Sequence, residues 1–352
     1  MPAVLHATPD VTAAPPVAAR RRDPWFDNAK MLLVTLVVVG HAWTLLPDTL
    51  VGSWLYDFLY LWHVPAFVVV TGYLSRSFTW SGRNLRRLVT AVALPYVVFE
   101  AAMAGFRTGV GGEQLDQLFL DPHWPMWYLA TLFLWRLVTP VLTRIRAAVA
   151  VAVLVCLLGG LTSGDPLDTA RAMGLLPFFV IGLLAGPQHL EMLRRPVARR
   201  VALALMGAGT GLAAFTHARL DTEWLYWRSS YEELGVSPLE GMAIRLGLLV
   251  ACGALAISFF ALVPRKGGWF AGMGAATLVV YLFHGFVVRG AEYAGLSAWA
   301  ASHPLLSLPV ATAGAVLVAL CLAWPPVAGR LNLVVDPVGA PARHRSARRT
   351  RA

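Results

Sequence analysis

Residues 28–47 read Asn28-Ala-Lys30-Met-Leu-Leu-Val-Thr-Leu-Val-Val-Val-Gly-His41-Ala-Trp-Thr-Leu-Leu-Pro47. About twenty predominantly apolar residues suffice for a helix to cross the roughly 30 Å hydrocarbon core of a bilayer. Nine further runs of the same kind follow, near 51–75, 87–107, 124–142, 147–162, 172–187, 197–217, 240–262, 270–289 and 304–328. The connecting segments are mostly short and carry Pro, Gly or charge. They leave no room for a second soluble domain, and no internal repeat is visible. The expected fold is an all-α polytopic membrane protein of about ten transmembrane helices.

Composition agrees. Of 352 residues, 57% are hydrophobic and 14% charged, against about 45–50% and about 25% in an average soluble domain. Mean hydropathy is +0.62. An ordinary cytosolic globule, a disordered chain and a disulfide-stapled miniprotein are excluded. Cys156, Cys252 and Cys321 all fall in apolar runs and read as core residues, with no disulfide framework and no metal-ligand spacing.

The net charge of +10 is a topology signal rather than a sign of a nucleic-acid partner. Twenty-one of the 29 basic residues lie in the two tails and in alternate loops, and five in the opposite loops. The positive-inside rule then puts both termini in the cytoplasm of a multi-pass cell-membrane protein. Residues 1–24, ending in Arg20-Arg21-Arg22, read as a disordered basic tail rather than a cleaved signal peptide. The membrane domain spans 25–329, and a second basic cytoplasmic tail spans 330–352.

A charged side chain at a span centre costs roughly 2.5–3.5 kcal/mol on insertion scales, so such residues face a bundle interior and mark function by default. The candidates are Lys30, His41, Asp57, His63, Glu100, Arg136, Arg245 and His284. With the topology above, most lie between mid-membrane and the outer side. Lys30 and His41 are eleven residues apart, close to three turns, so they share a face at roughly 16 Å. Tyr56, Tyr60, His63 and Phe67 share a face of the second span, and Thr277, Tyr281, His284 and Val288 a face of the ninth. Blander readings stand beside these. Lys30, Arg136 and Arg245 suit snorkelling to an interface, Asp57 suits a structural partner, and Trp124, Trp127 and Tyr128 suit an interfacial aromatic belt. In the cytoplasmic loop after span two, Arg83 and Arg86 are three apart. On a helix they share a face and can clamp one phosphate, although positive-inside charge alone also accounts for them.

Asp27-Asn-Ala-Lys30, followed after ten residues by His41, resembles the N-terminal pattern of the integral-membrane acyltransferase-3 family of O-acyltransferases, most closely its fucose 4-O-acetylase-type branch. Trp62-His63-Val-Pro65-Ala-Phe67 with Thr71-Gly72-Tyr73-Leu74 is similar to a second family segment, with threonine where the family has serine. Arg83-x-x-Arg86, Trp127-Tyr128-Leu129 and Tyr281-Leu-Phe-His284 follow in order. The ordered set covers about residues 23–330.

The resemblance implies transfer of an acyl group, usually acetyl from acetyl-CoA, to a hydroxyl of a sugar or glycosylated metabolite, without a metal. Arg83, Arg86 and Lys30 would hold the acyl-CoA at the cytoplasmic face, and His41 would be the general base. An acyl-His intermediate is the less favoured route. Glu100 or Asp57 would orient His41, His63 would belong to the same polar layer, and His284 or Arg245 would stabilise the oxyanion. Many relatives carry an extra hydrolase-like domain. None is read in these residues, so the protein is expected to act alone, among membrane lipid, or to pass its acyl group to a partner protein. The competing reading is a multi-span transporter or flippase for a saccharide or lipid-linked substrate. That reading explains the buried ionisable residues but not the arginine pair.

Overall fold

A computed structural model describes residues 23–162 and 166–336. The tail expected over 1–24 therefore lies almost wholly outside the described residues, as does most of the tail expected over 330–352. Among the described residues the chain is helical throughout, without a strand. In order the helices are α1 (Pro24–Trp43), α2 (Leu50–Ser75), α3 (Gly82–Leu88), α4 (Leu94–Gly109), α5 (Trp127–Leu142), α6 (Ala148–Gly159), α7 (Thr169–Leu184) and α8 (Pro187–Leu193). Then come α9 (Pro196–Thr216), α10 (Glu223–Tyr226), α11 (Pro238–Leu262), α12 (Trp269–Met273), α13 (Thr277–Tyr293), α14 (Leu296–Ser302), α15 (Pro304–Ala323) and α16 (Pro325–Val335). Helix α16 carries regular structure past the boundary expected at 329.

Among the described residues, six stretches are long and apolar enough to cross a membrane: Val51–Ser75, Gly82–Gly109, Pro166–Leu184, Pro196–Thr216, Pro238–Leu262 and Pro304–Ala323. Six of the ten expected spans meet that measure. The other four expected spans coincide with α1, α5, α6 and α13. Helices α5, α6 and α13 have 16, 12 and 17 residues, because the apolar runs that suggested longer spans include loop residues such as Trp124 and Leu161. Helix α1 has 20 residues but is diluted by Asp27, Lys30 and His41. The outer surface is apolar: Leu305 is 91% exposed and Val250 69%, which in a folded protein calls for lipid rather than water around them. Cys321 also faces outward, whereas Cys156 and Cys252 are buried as expected.

Helix α2 runs through the middle, packed on α7, α11 and α1. Its contact with α7 depends on two glycines. A Cβ on Gly72 would land on the Phe179 carbonyl, and one on Gly182 on the Val69 carbonyl. Small residues at a helix crossing let backbones touch, which is the main source of helix association in lipid. The start of α1 is fastened by Asp23, Trp25 and the motif residue Asn28. Asp23 caps the helix through Trp25 N at 3.0 Å. Asn28 donates to the carbonyls of Pro264 (2.8 Å) and Lys266 (3.1 Å), just past α11. Trp25 Nε1 reaches Phe260 O at 3.2 Å. Helix α1 is thus anchored at one end, which fixes the rotation at which it presents His41 at the other.

Candidate active site

The face of α2 expected from its helical spacing lines a cavity of about 170 Å³: Tyr56, Tyr60, His63 and Phe67 all border it. Helix α1 contributes Val37, His41 and Thr44. Pro125, Trp127 and Tyr128 close it from α5 and the segment before it, and Tyr281 from α13. Trp124, partly buried, and the buried Trp127 and Tyr128 therefore form a wall of this cavity instead of the interfacial belt they suggested. Along α2 the cavity ends at Phe67. Tyr128 forms the wall there, with its hydroxyl against Thr71 Oγ1.

Two histidines meet at this cavity. His41 Nδ1 lies 2.8 Å from His284 Nε2. His284 Nδ1 faces the carbonyls of Tyr281 at 2.7 Å and Val280 at 3.1 Å. Carbonyls only accept, so His284 carries its proton on Nδ1, and its Nε2 accepts from His41 Nδ1–H. Protonating both rings would set two cations in contact in a buried site. His41 is left with a deprotonated Nε2 at the cavity, the form a general base requires. The Trp124 ring lies against His41 at 4.2 Å between centroids. His63 donates from Nδ1 to Leu59 O at 2.7 Å, so its Nε2 is likewise a free acceptor at the same cavity.

Arg171 also lines the cavity. Its Nε donates to Tyr226 O at 3.1 Å, Asp168 lies 3.4 Å from Nη1, and the guanidinium stacks 4.6 Å above Trp127. It is one of the five basic residues that the loop count assigns to the opposite loops, and the structure moves it into a helix. Helix α7 begins at Thr169, a little before the apolar run, and draws Arg171 into its first turn. The available signal was an arginine immediately ahead of an unbroken apolar stretch, three residues after an aspartate.

The remaining candidates lie elsewhere. Glu100 does not touch His41. Its Oε1 accepts from His123 N at 2.8 Å, and so fixes the segment that carries Trp124. Asp57 accepts from Thr222 Oγ1 at 2.7 Å and ties down the start of α10, the short helix that carries Tyr226. The orienting role expected of these two carboxylates falls geometrically to His284. Arg245 is buried and does not line the cavity, donating to Cys156 O at 3.0 Å and Ser229 O at 2.9 Å. It is therefore neither an outer anchor nor an oxyanion group. Lys30 pairs with Asp27 at 2.7 Å and does not line the cavity. Arg136 is partly buried and turns toward Ser75 Oγ. Arg83 and Arg86 sit exposed on α3, three residues apart on a helix, and their side chains have no ion-pair or hydrogen-bond partner among the described residues.

A network the sequence did not suggest supports the Trp124 segment from the C-terminal ends of α4 and α13 and the loop after α4. Arg107 Nη1 donates to His123 Nδ1 at 2.7 Å, and its Nε and Nη2 donate to Glu113 at 2.8 and 2.6 Å. Tyr293 donates to the same carboxylate. Tyr293 and Arg107 hold Glu113 below the usual carboxylate range. Burial, with Arg107 and Arg289 nearby, presses the His123 imidazole down to about 3, so it stays neutral and accepts.

Residues 23–324 match the family described as "Acyltransferase domain". The chain belongs to this family, the acyltransferase-3 family. Among characterised proteins it is similar to "Nodulation protein NolL" of Mesorhizobium japonicum, 33% identical over 136 residues. That match covers 38% of this chain and 29% of the relative, so the chain spans less than a third of the protein it resembles. No solved structure matches.

Proposed function

We propose that the protein is an O-acetyltransferase of the cell membrane that moves an acetyl group from acetyl-CoA to a hydroxyl of a saccharide or glycosylated metabolite, with His41 as general base. The observation that carries this reading is the His41–His284 pair. Its bonding leaves an unprotonated imidazole nitrogen at a cavity of about 170 Å³ that also holds one buried arginine. His41 Nε2 takes the acceptor hydroxyl proton as that oxygen attacks the thioester carbonyl. Arg171 neutralises the tetrahedral oxyanion. Collapse breaks the C–S bond, and the departing thiolate takes the proton from the His41 imidazolium, so ester and free thiol leave together.

Arg83 and Arg86 bind the CoA phosphates at the cytoplasmic face, where both termini lie. Their exposure and lack of partners among the described residues suit a phosphate ligand. Lys30 is committed to Asp27 and contributes through that pair rather than as a free charge. His63 supplies a second acceptor nitrogen on the cavity wall.

The test is purified protein in proteoliposomes with acetyl-labelled acetyl-CoA and a panel of methyl pyranosides. Label appearing in an alkali-labile ester of a pyranoside, with stoichiometric free thiol, is the expected result. Movement of unmodified pyranoside across the bilayer with no ester formed would establish a transporter instead.

A further inference from the structure

We propose that the polar cavity at the N-terminal end of α2 is the acceptor vestibule, that it receives a polyhydroxylated ring, and that the Tyr56–Tyr226 hydroxyl pair is the door between it and His41. This rests on the acyltransferase reading above.

The cavity has a volume of about 310 Å³, within the range of small-molecule sites, about 300–1,000 Å³. Its wall presents the Trp43 indole, the Asp48 carboxylate and the hydroxyls of Thr49, Ser53, Thr222 and Ser307. A carboxylate accepts from neighbouring hydroxyls, Ser and Thr both donate and accept, and an indole offers an apolar face to ring C–H groups. That set suits a neutral polyol. It does not suit the phosphates of the donor, because the lining holds a carboxylate and no basic side chain. Asp48 is exposed and has no ion-pair partner among the described residues. Helix α2 has 26 residues, about 39 Å at 1.5 Å per residue. The vestibule sits at its first turns and Arg83 and Arg86 lie beyond its last, so acceptor and donor would approach from opposite ends.

Thr44, Tyr56 and Tyr226 line both this cavity and the His41 cavity. The two tyrosine hydroxyls are 2.8 Å apart. On one side of the pair, Tyr56 stacks on Tyr60 at 4.2 Å, and Tyr60 meets His63 edge-on at 4.6 Å. On the other, Tyr226 ends α10, a helix of four residues. Parting the hydroxyls therefore asks a short helix to shift, not a span. The bond from Thr222 to Asp57 sets its resting place, which gives that buried carboxylate a use.

The test is thiol labelling of Ser53→Cys in a Cys321→Ala background, since Cys156 and Cys252 are buried. Leu46→Cys, which lines the same cavity and is partly exposed, is a second reporter if the first does not fold. Labelling by a methanethiosulfonate should slow by roughly tenfold at saturating levels of at least one methyl pyranoside. The permethylated sugar should not protect, and Asp48→Asn should weaken protection. Tyr56→Phe should raise His41-dependent hydrolysis of acetyl-CoA by water. Equal protection by the permethylated sugar, or none by any pyranoside, overturns the vestibule. Unchanged hydrolysis in Tyr56→Phe overturns the door. If no acetyl ester of any pyranoside forms, the enzyme reading fails, whatever the labelling shows.

Discussion

His41 Nδ1 donates across 2.8 Å to His284 Nε2, and His284 in turn donates to carbonyls of its own helix. The direction of this chain assigns the tautomer of His41. His284→Ala should therefore lower kcat by about 10–100-fold, the usual cost of losing a group that orients a functional histidine. The KM for acetyl-CoA should hold. His284→Gln, whose amide oxygen can accept from His41, should recover part of the loss. Steady-state kinetics of the two variants check this, and a pure KM effect would place His284 in donor binding.

Arg171 is the one buried cation lining the His41 cavity among the described residues. Arg171→Met should reduce kcat by about a hundredfold, the loss seen on removing one oxyanion donor. Arg171→Lys should retain more activity, because the charge survives although the stacking on Trp127 is lost. Retained activity in the methionine variant would show that the arginine only braces Tyr226.

Arg83→Ala with Arg86→Ala should raise the KM for acetyl-CoA by about tenfold at unchanged kcat, since charge-assisted phosphate contacts are worth roughly 1.5 kcal/mol or more. Membrane abundance and sidedness, read by protease accessibility of the tails, should not change. A change in sidedness alone would mean that the pair serves topology.

His123 makes stability depend on pH. Its folded value, about 3, lies below the ordinary histidine value of about 6.5. Between these two the unfolded chain binds a proton that the folded one refuses, so stability falls as pH drops from about 6.5 toward 3 and is fully present above that window. Thermal melts in detergent at pH 7.5 and 5 should show a lower midpoint at pH 5. His123→Asn, which keeps an acceptor for Arg107, should flatten that difference. An unchanged slope in the variant would remove His123 from the account.

Much of this site is legible in the sequence, and the reason it is not all legible is geometric. The 3.6-residue period places Tyr56, Tyr60, His63 and Phe67 on one face, and all four line the cavity. Membrane depth, by contrast, is one coordinate of three. It groups Asp57, Glu100 and Arg245 with His41, yet each turns to a different partner: Thr222, the His123 backbone and the carbonyls of Cys156 and Ser229. Which way a helix rotates depends on crossings such as Gly72 against Gly182, and a single chain read residue by residue does not reveal which pairs cross. Arg171 was missed for a related reason. Counting charges by loop presumes that helices end where apolar runs end, and α7 begins earlier.

The most direct test of the central claim is the rate of acetyl transfer by His41→Gln, compared with wild type at matched membrane abundance. Loss of general-base catalysis predicts a fall of about 10²–10⁴-fold, with acetyl-CoA still bound at near wild-type affinity. Transfer at near wild-type rate would contradict the claim, and His63, the other free imidazole nitrogen at the cavity, would take its place.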